Sequence, residues 1–303
     1  MRRALDVPQQ ERTRTAILAQ TVKSGIIISN LIPMFAGLTL ALYTYHLSLA
    51  EKLPEMILAL MGSVFVMGAA GAFNNLYDRD IDSIMKRTKN RPTVTGEIQP
   101  ASVLWLGIAA SILGLAALYL ATPLAALLGF LGLFFYTVPY TMWSKRKTVY
   151  NTEIGSIAGA MPPLIGWAAI NPDLAHPAII GLFVHAVIWQ MPHFYAIAIR
   201  KHEEYRAANI PMLPVVKGIH RTYIQTNLYL TALILASCLF WPLSLGLMLV
   251  ALLSSVSWLL LSLVGYRKMD SERWARSMFL FSLFHMTVLF STVIIYSLIG
   301  ILL

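Results

Sequence analysis

Long apolar stretches alternate with short polar loops along almost the whole chain. A helix needs about 20 apolar residues to cross the hydrocarbon core of a bilayer, and nine segments meet that requirement. They cover residues 24–46, 55–76, 102–121, 124–143, 151–170, 176–199, 223–241, 243–264 and 277–300. Backbone groups inside a membrane must be hydrogen-bonded internally, and no segment alternates like a barrel strand. The pattern therefore predicts nine transmembrane helices.

The composition agrees with an integral membrane protein. The 303 residues are 57% hydrophobic and 12% charged, whereas soluble domains carry about 25% charged residues. This excludes a water-soluble enzyme, a disordered protein and a nucleic-acid-binding protein. The single cysteine, Cys238, lies in an apolar run, so neither a disulfide framework nor a cysteine metal site is expected. We expect one all-α membrane domain over residues 1–303, with a polar tail at 1–22 and the helix bundle at 24–300.

The positions of the basic residues predict how the bundle is oriented. Of the 23 Lys and Arg residues, only Lys52 falls on one side of the nine predicted spans, and the other 22 fall on the opposite side. Basic residues accumulate on the cytoplasmic side of membrane proteins. The N-terminus is therefore predicted to be cytoplasmic and the C-terminus to lie outside. The net charge of +9 then mainly reflects orientation.

A stripe of polar residues lies where the second predicted span meets the cytoplasmic side. Asn74, Asp78 and Asp82 are spaced by four, so on a continuing helix they project from one face, while Asp80 falls off that face. Carboxylate and amide oxygens suit Mg²⁺, which completes its shell with water and phosphate oxygens. Carboxylates at a helix end can also serve solubility alone. Basic residues follow the stripe directly, and they favour a diphosphate site over a role in solubility alone. They are Lys86, Arg87, Lys89 and Arg91.

Two further polar clusters fall on the same side of the membrane. Glu203 and Glu204 follow the sixth predicted span, in the same place relative to their helix as the first stripe. Two acidic clusters, one in each half of the chain, suggest two Mg²⁺-binding walls around one anionic ligand. A mixed-charge run taken alone is usually a solvated loop. Lys145 and Arg146 follow the fourth span and serve either orientation or phosphate binding.

The fifth predicted span is rich in small residues and proline. Glycines at positions 155, 159 and 166 predict close helix packing within the bilayer. Pro162 and Pro163 can interrupt this helix only where it lines a cavity or is covered by protein.

Several stretches resemble a known family. NNLYDRDID, KRTKNRP, GAMPPLIGW, WQMPHFYAIAI and EEYRAANIPMLPVVKG are similar to the intramembrane aromatic prenyltransferases, the UbiA superfamily. The narrower motifs resemble its haem O synthase branch, the protohaem IX farnesyltransferases. The similarity runs from Lys23 to about Gly218. It implies a nine-helix bundle around a central cavity that opens laterally to lipid, in a bacterial inner membrane, with the active site on the cytoplasmic side.

The resemblance also implies the substrates and a set of site residues. The substrates would be farnesyl diphosphate and haem B, with Mg²⁺ as cofactor. The residues implied to be catalytic are Asn74, Asp78, Asp82, Glu203 and Glu204, and all of them except Glu203 are implied to hold the metal. Those implied to grip the diphosphate are Arg87, Arg91, Lys145 and Arg146, with Asn30 and Asn151 as polar neighbours.

The second acidic motif departs from the superfamily pattern of two aspartates spaced by four. Ile199 stands four residues before Glu203 and has no ligand oxygen. Whether Glu203 or Glu204 reaches a second Mg²⁺ is therefore left open.

The implied reaction begins with ionisation of the allylic C–O bond. A haem vinyl carbon would attack the farnesyl cation, and water would capture the resulting cation to give a hydroxyethylfarnesyl group. Aromatic rings can shelter a carbocation, and Phe73, Tyr77 and Tyr136 lie near the required depth. His193 is the candidate for contact with the haem iron or a propionate, since a histidine inside a membrane is functional by default. For His185 a hydrogen bond to a neighbouring helix is favoured.

Three other functions compete with this interpretation. A different superfamily member would prenylate a quinone precursor or a chlorophyll-type acceptor. A secondary transporter usually binds its substrate near the midplane on broken helices, whereas these carboxylates cluster at one rim. A purely structural subunit has no need of two acidic rims with basic clamps. The sequence leaves open contacts with a haem A synthase or a terminal oxidase.

Overall fold

A computed structural model describes residues 12–303, so the first half of the predicted tail lies outside it. Every regular element in this range is helical, which confirms the all-α class. The α-helices are α1 (Arg14–Thr21), α2 (Ser24–Thr44), α3 (Leu53–Tyr77), α4 (Arg79–Ile84), α5 (Pro92–Thr95), α6 (Pro100–Ala121), α7 (Pro123–Phe135), α8 (Lys145–Lys147), α9 (Asn151–Gly159), α10 (Met161–Ala168), α11 (Pro177–Arg200), α12 (His202–Ala207), α13 (Leu213–Ser237), α14 (Leu245–Lys268) and α15 (Ser271–Leu302). A π-helical segment, Tyr136–Ser144, joins α7 to α8, and a 3₁₀ turn, Cys238–Phe240, follows α13.

Eight continuous helical runs within residues 12–303 are long and apolar enough to cross a bilayer. They are Ser24–Thr44, Leu53–Tyr77, Pro100–Ala121, Pro123–Lys147, Pro177–Arg200, Leu213–Phe240, Leu245–Lys268 and Ser271–Leu302. Many of the largest apolar side chains on these helices are exposed, as at Trp105 and Leu120, and a lipid environment would cover them. The chain is a multi-pass membrane protein.

The fifth predicted span is two short helices rather than one. Helix α9 ends at Gly159 and α10 begins at Met161, with Ala160 between them. Pro162 and Pro163 occupy the first turn of α10, where a missing N–H is tolerated although it would break a helix interior. The interruption therefore falls where the prolines were expected to place it.

Contacts at both ends of this helix pair show how far it reaches. At the start of α9, Asn151 Nδ2 donates to the Pro211 carbonyl at 3.4 Å, beside α12. At the end of α10, the Thr122 hydroxyl donates to the Ala168 carbonyl at 2.7 Å, beside the turn between α6 and α7. The two ends thus meet opposite ends of the neighbouring helices. The count of nine crossings and the sidedness of the termini stay predictions.

Glycine lets α2 and α10 approach closely. A Cβ atom on Gly37 would stand 2.0 Å from the Pro163 carbonyl oxygen, and one on Gly166 would stand 2.0 Å from the Met34 carbonyl oxygen. The expected packing role of small residues is confirmed at this crossing. A third contact, at Gly71, brings the Val22 carbonyl within 2.5 Å of where a Cβ would be. The start of α2 therefore lies on α3, next to the polar stripe.

Candidate active site

The polar stripe keeps a helical register where α3 passes into α4. The Asp78 N–H donates to the Asn74 carbonyl at 2.9 Å, and the Asp82 N–H donates to the Asp78 carbonyl at 2.8 Å. The three side chains therefore share one face, as their spacing predicted. All three are buried, and Asp78 is fully so. The Asp80 side chain, off the stripe, is 61% exposed.

Three of the four predicted phosphate-gripping cations converge on this stripe. Lys145 pairs with Asp78, and Arg91 pairs with Asp82. Arg146 reaches Asp78 at 3.4 Å and forks onto Asp80 at 2.6 and 2.7 Å. Such a fork presents two parallel N–H donors to one carboxylate and fits a phosphate equally well.

The π-helical segment positions the Lys145–Arg146 pair. Wider turns of this kind are rare and often occur at functional sites; this one contains Pro139 and ends at Ser144. Within it, the Thr141 hydroxyl accepts a hydrogen bond from Asn74 Nδ2 at 2.9 Å. Asn74 Nδ2 also donates to Asp78 at 2.9 Å. The segment therefore fixes the amide of the stripe as well as delivering the two cations.

Lys23 belongs to the site, although the sequence suggested only a topological role for it. It adopts a left-handed backbone conformation (φ 59°) at the join of α1 and α2, and its ammonium group donates to the Asn74 side-chain oxygen. A non-glycine residue in this conformation costs about 1–3 kcal/mol and is common at functional sites. Burial, together with the nearby charges of Arg91 and Lys145, lowers the pKa of Lys23. A phosphate at this position would favour its charged form.

The second acidic cluster separates Glu203 from Glu204. The Glu203 side chain is 78% exposed and pairs with His202 and Arg206. Glu204 is largely buried, bonds Lys201 at 2.9 Å, and accepts the Arg87 N–H at 3.2 Å. Burial raises the pKa of Glu204, but the hydrogen bonds from Lys201 and from the Arg87 backbone outweigh burial and lower it. Of the two, Glu204 is therefore the one that faces the loop after the first stripe.

The remaining predicted polar residues lie at the margin. The Arg87 side chain is exposed, and only its backbone contacts Glu204. Asn151 is buried and donates to the Thr148 carbonyl at 2.8 Å. Asn30 lies one helix turn from Ile26, to whose carbonyl it donates at 2.8 Å, and it lines a cavity with Lys23.

That cavity extends from the rim into the bundle between α2, α3, α7 and the α9–α10 pair. Its volume is about 110 Å³, and small residues form much of its wall, among them Ala70, Gly71, Gly132 and Gly159. A water molecule takes up about 30 Å³, so the walls would have to separate to admit the farnesyl chain expected from the sequence. Tyr136 lines this cavity. By contrast, the Phe73 ring packs where Gly107 lacks a side chain, and the Tyr77 ring lies under Arg146.

The two histidines on α11 lie away from the diphosphate residues, against α15. The His193 ring stacks on Trp189 with centroids 4.6 Å apart, and its Nδ1 lies 2.7 Å from the Ser282 hydroxyl. The Ser282 hydroxyl also donates to the Phe279 carbonyl at 2.5 Å. The haem contact of His193 stays a prediction. His185 hydrogen-bonds His285 at 2.8 Å, the interhelical contact that was favoured for it.

The donor set of the stripe fits Mg²⁺. Two buried carboxylates and an amide oxygen converge, and Mg²⁺ characteristically takes one or two carboxylates and completes its shell with water and phosphate oxygens. Within residues 12–303, no three side chains drawn from His, Cys, Asp and Glu form a metal cage on their own. Water or a bound diphosphate would therefore have to complete the coordination.

Known proteins similar to this chain are prenyltransferases. The UbiA prenyltransferase family profile matches residues 30–286. The chain belongs to this family. It is 70% identical to protoheme IX farnesyltransferase 1 of Bacillus cytotoxicus, over 99% of both chains. It is 44% identical to protoheme IX farnesyltransferase 2 of Bacillus subtilis, over 97% of this chain and 96% of the relative. These matches confirm the expectation from the sequence that the protein is a prenyltransferase.

Solved structures confirm the fold. A digeranylgeranylglyceryl phosphate synthase superposes with a TM-score of 0.74 at 13% identity, covering 93% of this chain and 98% of its own. A UbiA homologue from Archaeoglobus fulgidus, bound to DMAPP and Mg²⁺, superposes with a TM-score of 0.66 at 16% identity, covering 91% and 98%.

Proposed function

We propose that this UbiA-family protein transfers the farnesyl group of farnesyl diphosphate to a vinyl carbon of haem B and so makes haem O. The reaction takes place at the cytoplasmic rim of a bacterial inner-membrane protein. One observation carries the proposal: the buried Asn74–Asp78–Asp82 stripe is met by Lys23, Lys145, Arg146 and Arg91 at the mouth of an apolar cavity. This arrangement suits a diphosphate with a hydrocarbon tail. The names of the relatives support haem as acceptor.

The metal would be held by Asn74, Asp78, Asp82 and Glu204. When bound, Mg²⁺ supplies a Lewis acid that neutralises charge on diphosphate oxygens. In the structure described here, the two aspartates are paired with Lys145 and Arg91. When substrate binds, these cations exchange the carboxylates for phosphate oxygens, because both partners of each pair then meet an opposite charge. The rim is therefore organised in advance by the same side chains that bind the substrate.

The chain's own groups stabilise the leaving diphosphate as the allylic C–O bond breaks. Lys23, Lys145, Arg91 and Arg146 donate to the oxygens on which negative charge develops, and such donors are strongest where water is excluded. The farnesyl chain lies in the cavity below, where Tyr136 faces it. Attack by the haem vinyl carbon joins the two substrates, and addition of one water completes the hydroxyethylfarnesyl group.

The proposal is tested by incubating purified protein with farnesyl diphosphate, Mg²⁺ and haem B, followed by mass analysis of the haem. Asp78→Asn and Asp82→Asn should each lower haem O formation by about 10²-fold or more, as for loss of a group that stabilises developing charge. Glu97→Gln, which changes an exposed carboxylate paired with Arg12, is the control and should keep the wild-type rate.

Two results would contradict the proposal in different ways. A wild-type rate for either aspartate variant at saturating Mg²⁺ would remove the site assignment. Transfer of farnesyl to 4-hydroxybenzoate but not to haem B would remove haem as the acceptor and leave the prenyl diphosphate site intact.

A further inference from the structure

Glu153 is a carboxylate inside the bundle that the diphosphate site does not use. It lies on α9, half a turn below Asn151. Within the described range, Glu153 has no Lys, Arg or His partner within salt-bridge distance, unlike the rim carboxylates of Asp78, Asp82 and Glu204. An ionisable group at this depth is costly and marks a functional site by default.

Two tyrosines hold one oxygen of this carboxylate and leave the other bare. Tyr195 on α11 donates to Glu153 Oε1, and Tyr229 on α13 donates to the same atom at 3.3 Å. Oε2 is buried and has no hydrogen-bond partner among the described residues. A purely structural tie between three helices would be expected to satisfy both oxygens, because an unpaired buried acceptor costs about 1–3 kcal/mol. The bare oxygen points to a small ligand that donates a hydrogen bond.

The depth of Glu153 suits the reacting carbons. Tyr195 lies five residues before the end of α11 at Arg200, or about 7 Å below the rim at 1.5 Å per residue. The carbon that leaves the diphosphate must lie just below the rim, at a similar level. The same helix reaches the cavity proposed for the farnesyl chain, since Gly155 contacts the Tyr140 ring and Gly159 lines that cavity. A Cβ atom on Gly159 would also meet Gln190 on α11, the helix that carries Tyr195. The cavity and the Glu153 carboxylate therefore both border the contact between α9 and α11.

The proposed reaction needs a base that the rim does not provide. Addition of water to a carbocation releases a proton, and Asp78, Asp82 and Glu204 are each engaged by cations. In the proposed substrate complex these three carboxylates hold the metal instead, so they are engaged in both states. Glu153 Oε2 has no such partner.

We infer that Glu153 is the general base that takes the proton of the water added to the product, an inference that rests on the proposed function. The vinyl π electrons form the bond to the first farnesyl carbon as the C–O bond gives its pair to the diphosphate. The cation left beside the porphyrin ring takes the water oxygen. The proton of that water passes to Glu153 Oε2, while Tyr195 and Tyr229 hold Oε1.

The test separates water addition from ionisation. Glu153→Gln keeps an oxygen for the two tyrosines but removes the base. Haem O formed per diphosphate released should fall by about tenfold or more, within the range for loss of a general base. The cation should instead shed a carbon-bound proton, which gives a farnesylated haem lighter by one water. Glu153→Asp should restore part of the hydrated product, and Glu272→Gln, at an exposed site on α15, should behave as wild type.

Each remaining outcome is decisive. If Glu153→Gln binds farnesyl diphosphate with Mg²⁺ and releases one haem O per diphosphate as the wild type does, Glu153 is not the base. If its total turnover falls while the ratio of hydrated to dehydrated haem is unchanged, Glu153 is a structural tie. If the wild type itself makes no haem O, the proposed function fails and the inference fails with it, which distinguishes that case from the other two.

Discussion

Asp80 and Asp78 are two residues apart but have different surroundings. Asp78 lies buried on the stripe, whereas Asp80 is largely exposed and receives both terminal nitrogens of Arg146. That hydrogen-bonded pair lowers the pKa of Asp80 and raises the pKa of Arg146. Asp80 therefore holds in position Arg146, one of the cations proposed to bind the diphosphate, and it lies off the face proposed to bind the metal.

This pairing predicts a pH-dependent contribution to stability. Because the folded-state pKa of Asp80 is lowered, its contribution is present above the ordinary aspartate pKa of about 3.9 and is lost as the pH falls through the lowered value. Asp80→Asn should destabilise the protein near neutral pH by no more than about 1 kcal/mol, since the pair is solvent-exposed. Thermal unfolding in detergent near pH 7 and near pH 3 measures this. A difference that grows on acidification would contradict the assignment.

Lys23 and Glu153 show what residue-level reasoning missed. Lys23 fits the positive-inside pattern so well that charge counting alone gives it no second role, and its contact with Asn74 depends on α2 crossing α3. Glu153 carried a usable signal, because it is an ionisable residue within a predicted span. The stripe itself was predictable, since helical spacing alone places its three members on one face.

Helix α3 combines the polar stripe and a wall of the cavity proposed for the farnesyl chain on one face. Val66 and Ala70 line the cavity, and Asn74 follows at the same spacing of four. Ala70→Phe should therefore fill the space directly below the diphosphate. Turnover of farnesyl diphosphate should fall by about 10- to 10²-fold through misplacement of the substrate, while ionisation of the short dimethylallyl diphosphate is retained. Diphosphate release with each substrate measures the ratio.

Met61→Phe is the matched control for that experiment. It adds an aromatic ring to the same helix at an exposed position, so both substrates should react as with the wild type. An equal loss with the long and short diphosphates in Ala70→Phe would mean that the helix is distorted and that the cavity does not hold the chain.

The crossing of α2 and α10 depends on glycine at the contact. Gly37→Ala would place a methyl carbon 2.0 Å from the Pro163 carbonyl oxygen, which is backbone and cannot rotate away. The helices must separate, at a cost of about 1–3 kcal/mol for overpacking. Gly25→Ala on the same helix meets nothing within 4 Å and should not lower stability. Unfolding temperatures of the two variants provide the measurement, and equal values would contradict the close crossing.

The long helices could be predicted from the sequence, but the local departure from regular geometry in the π-helical segment Tyr136–Ser144 could not. Apolar length and the Thr122–Pro123 turn give the positions of α6 and α7 within a few residues. No sequence pattern identifies the π-helical segment, because an apolar run with one proline also occurs in α-helices. Its effect is large, since it delivers Lys145 and Arg146 to the stripe. Site geometry here depends on a departure that hydrophobic periodicity does not encode.

At the scale of the whole molecule, sidedness depends on whether the α9–α10 pair counts as a crossing. The contacts of Asn151 and Ala168 at opposite ends of the bundle argue that it does. Nine crossings place the N-terminus and the C-terminus on opposite sides of the membrane, whereas eight crossings place both on the same side. The exposed Leu303 therefore lies on opposite sides of the membrane in the two arrangements.

Cysteine labelling of intact cells distinguishes the two arrangements. In a Cys238→Ser background, which removes the single native cysteine, the variants Ala50→Cys, Lys147→Cys and Leu303→Cys are treated with a membrane-impermeant maleimide. Nine crossings with a cytoplasmic N-terminus predict labelling at positions 50 and 303 from outside, and at 147 only after permeabilisation. If position 303 behaves like 147, the α9–α10 pair does not cross. The basic loops would then be divided between the two faces, against the charge distribution that orients membrane proteins.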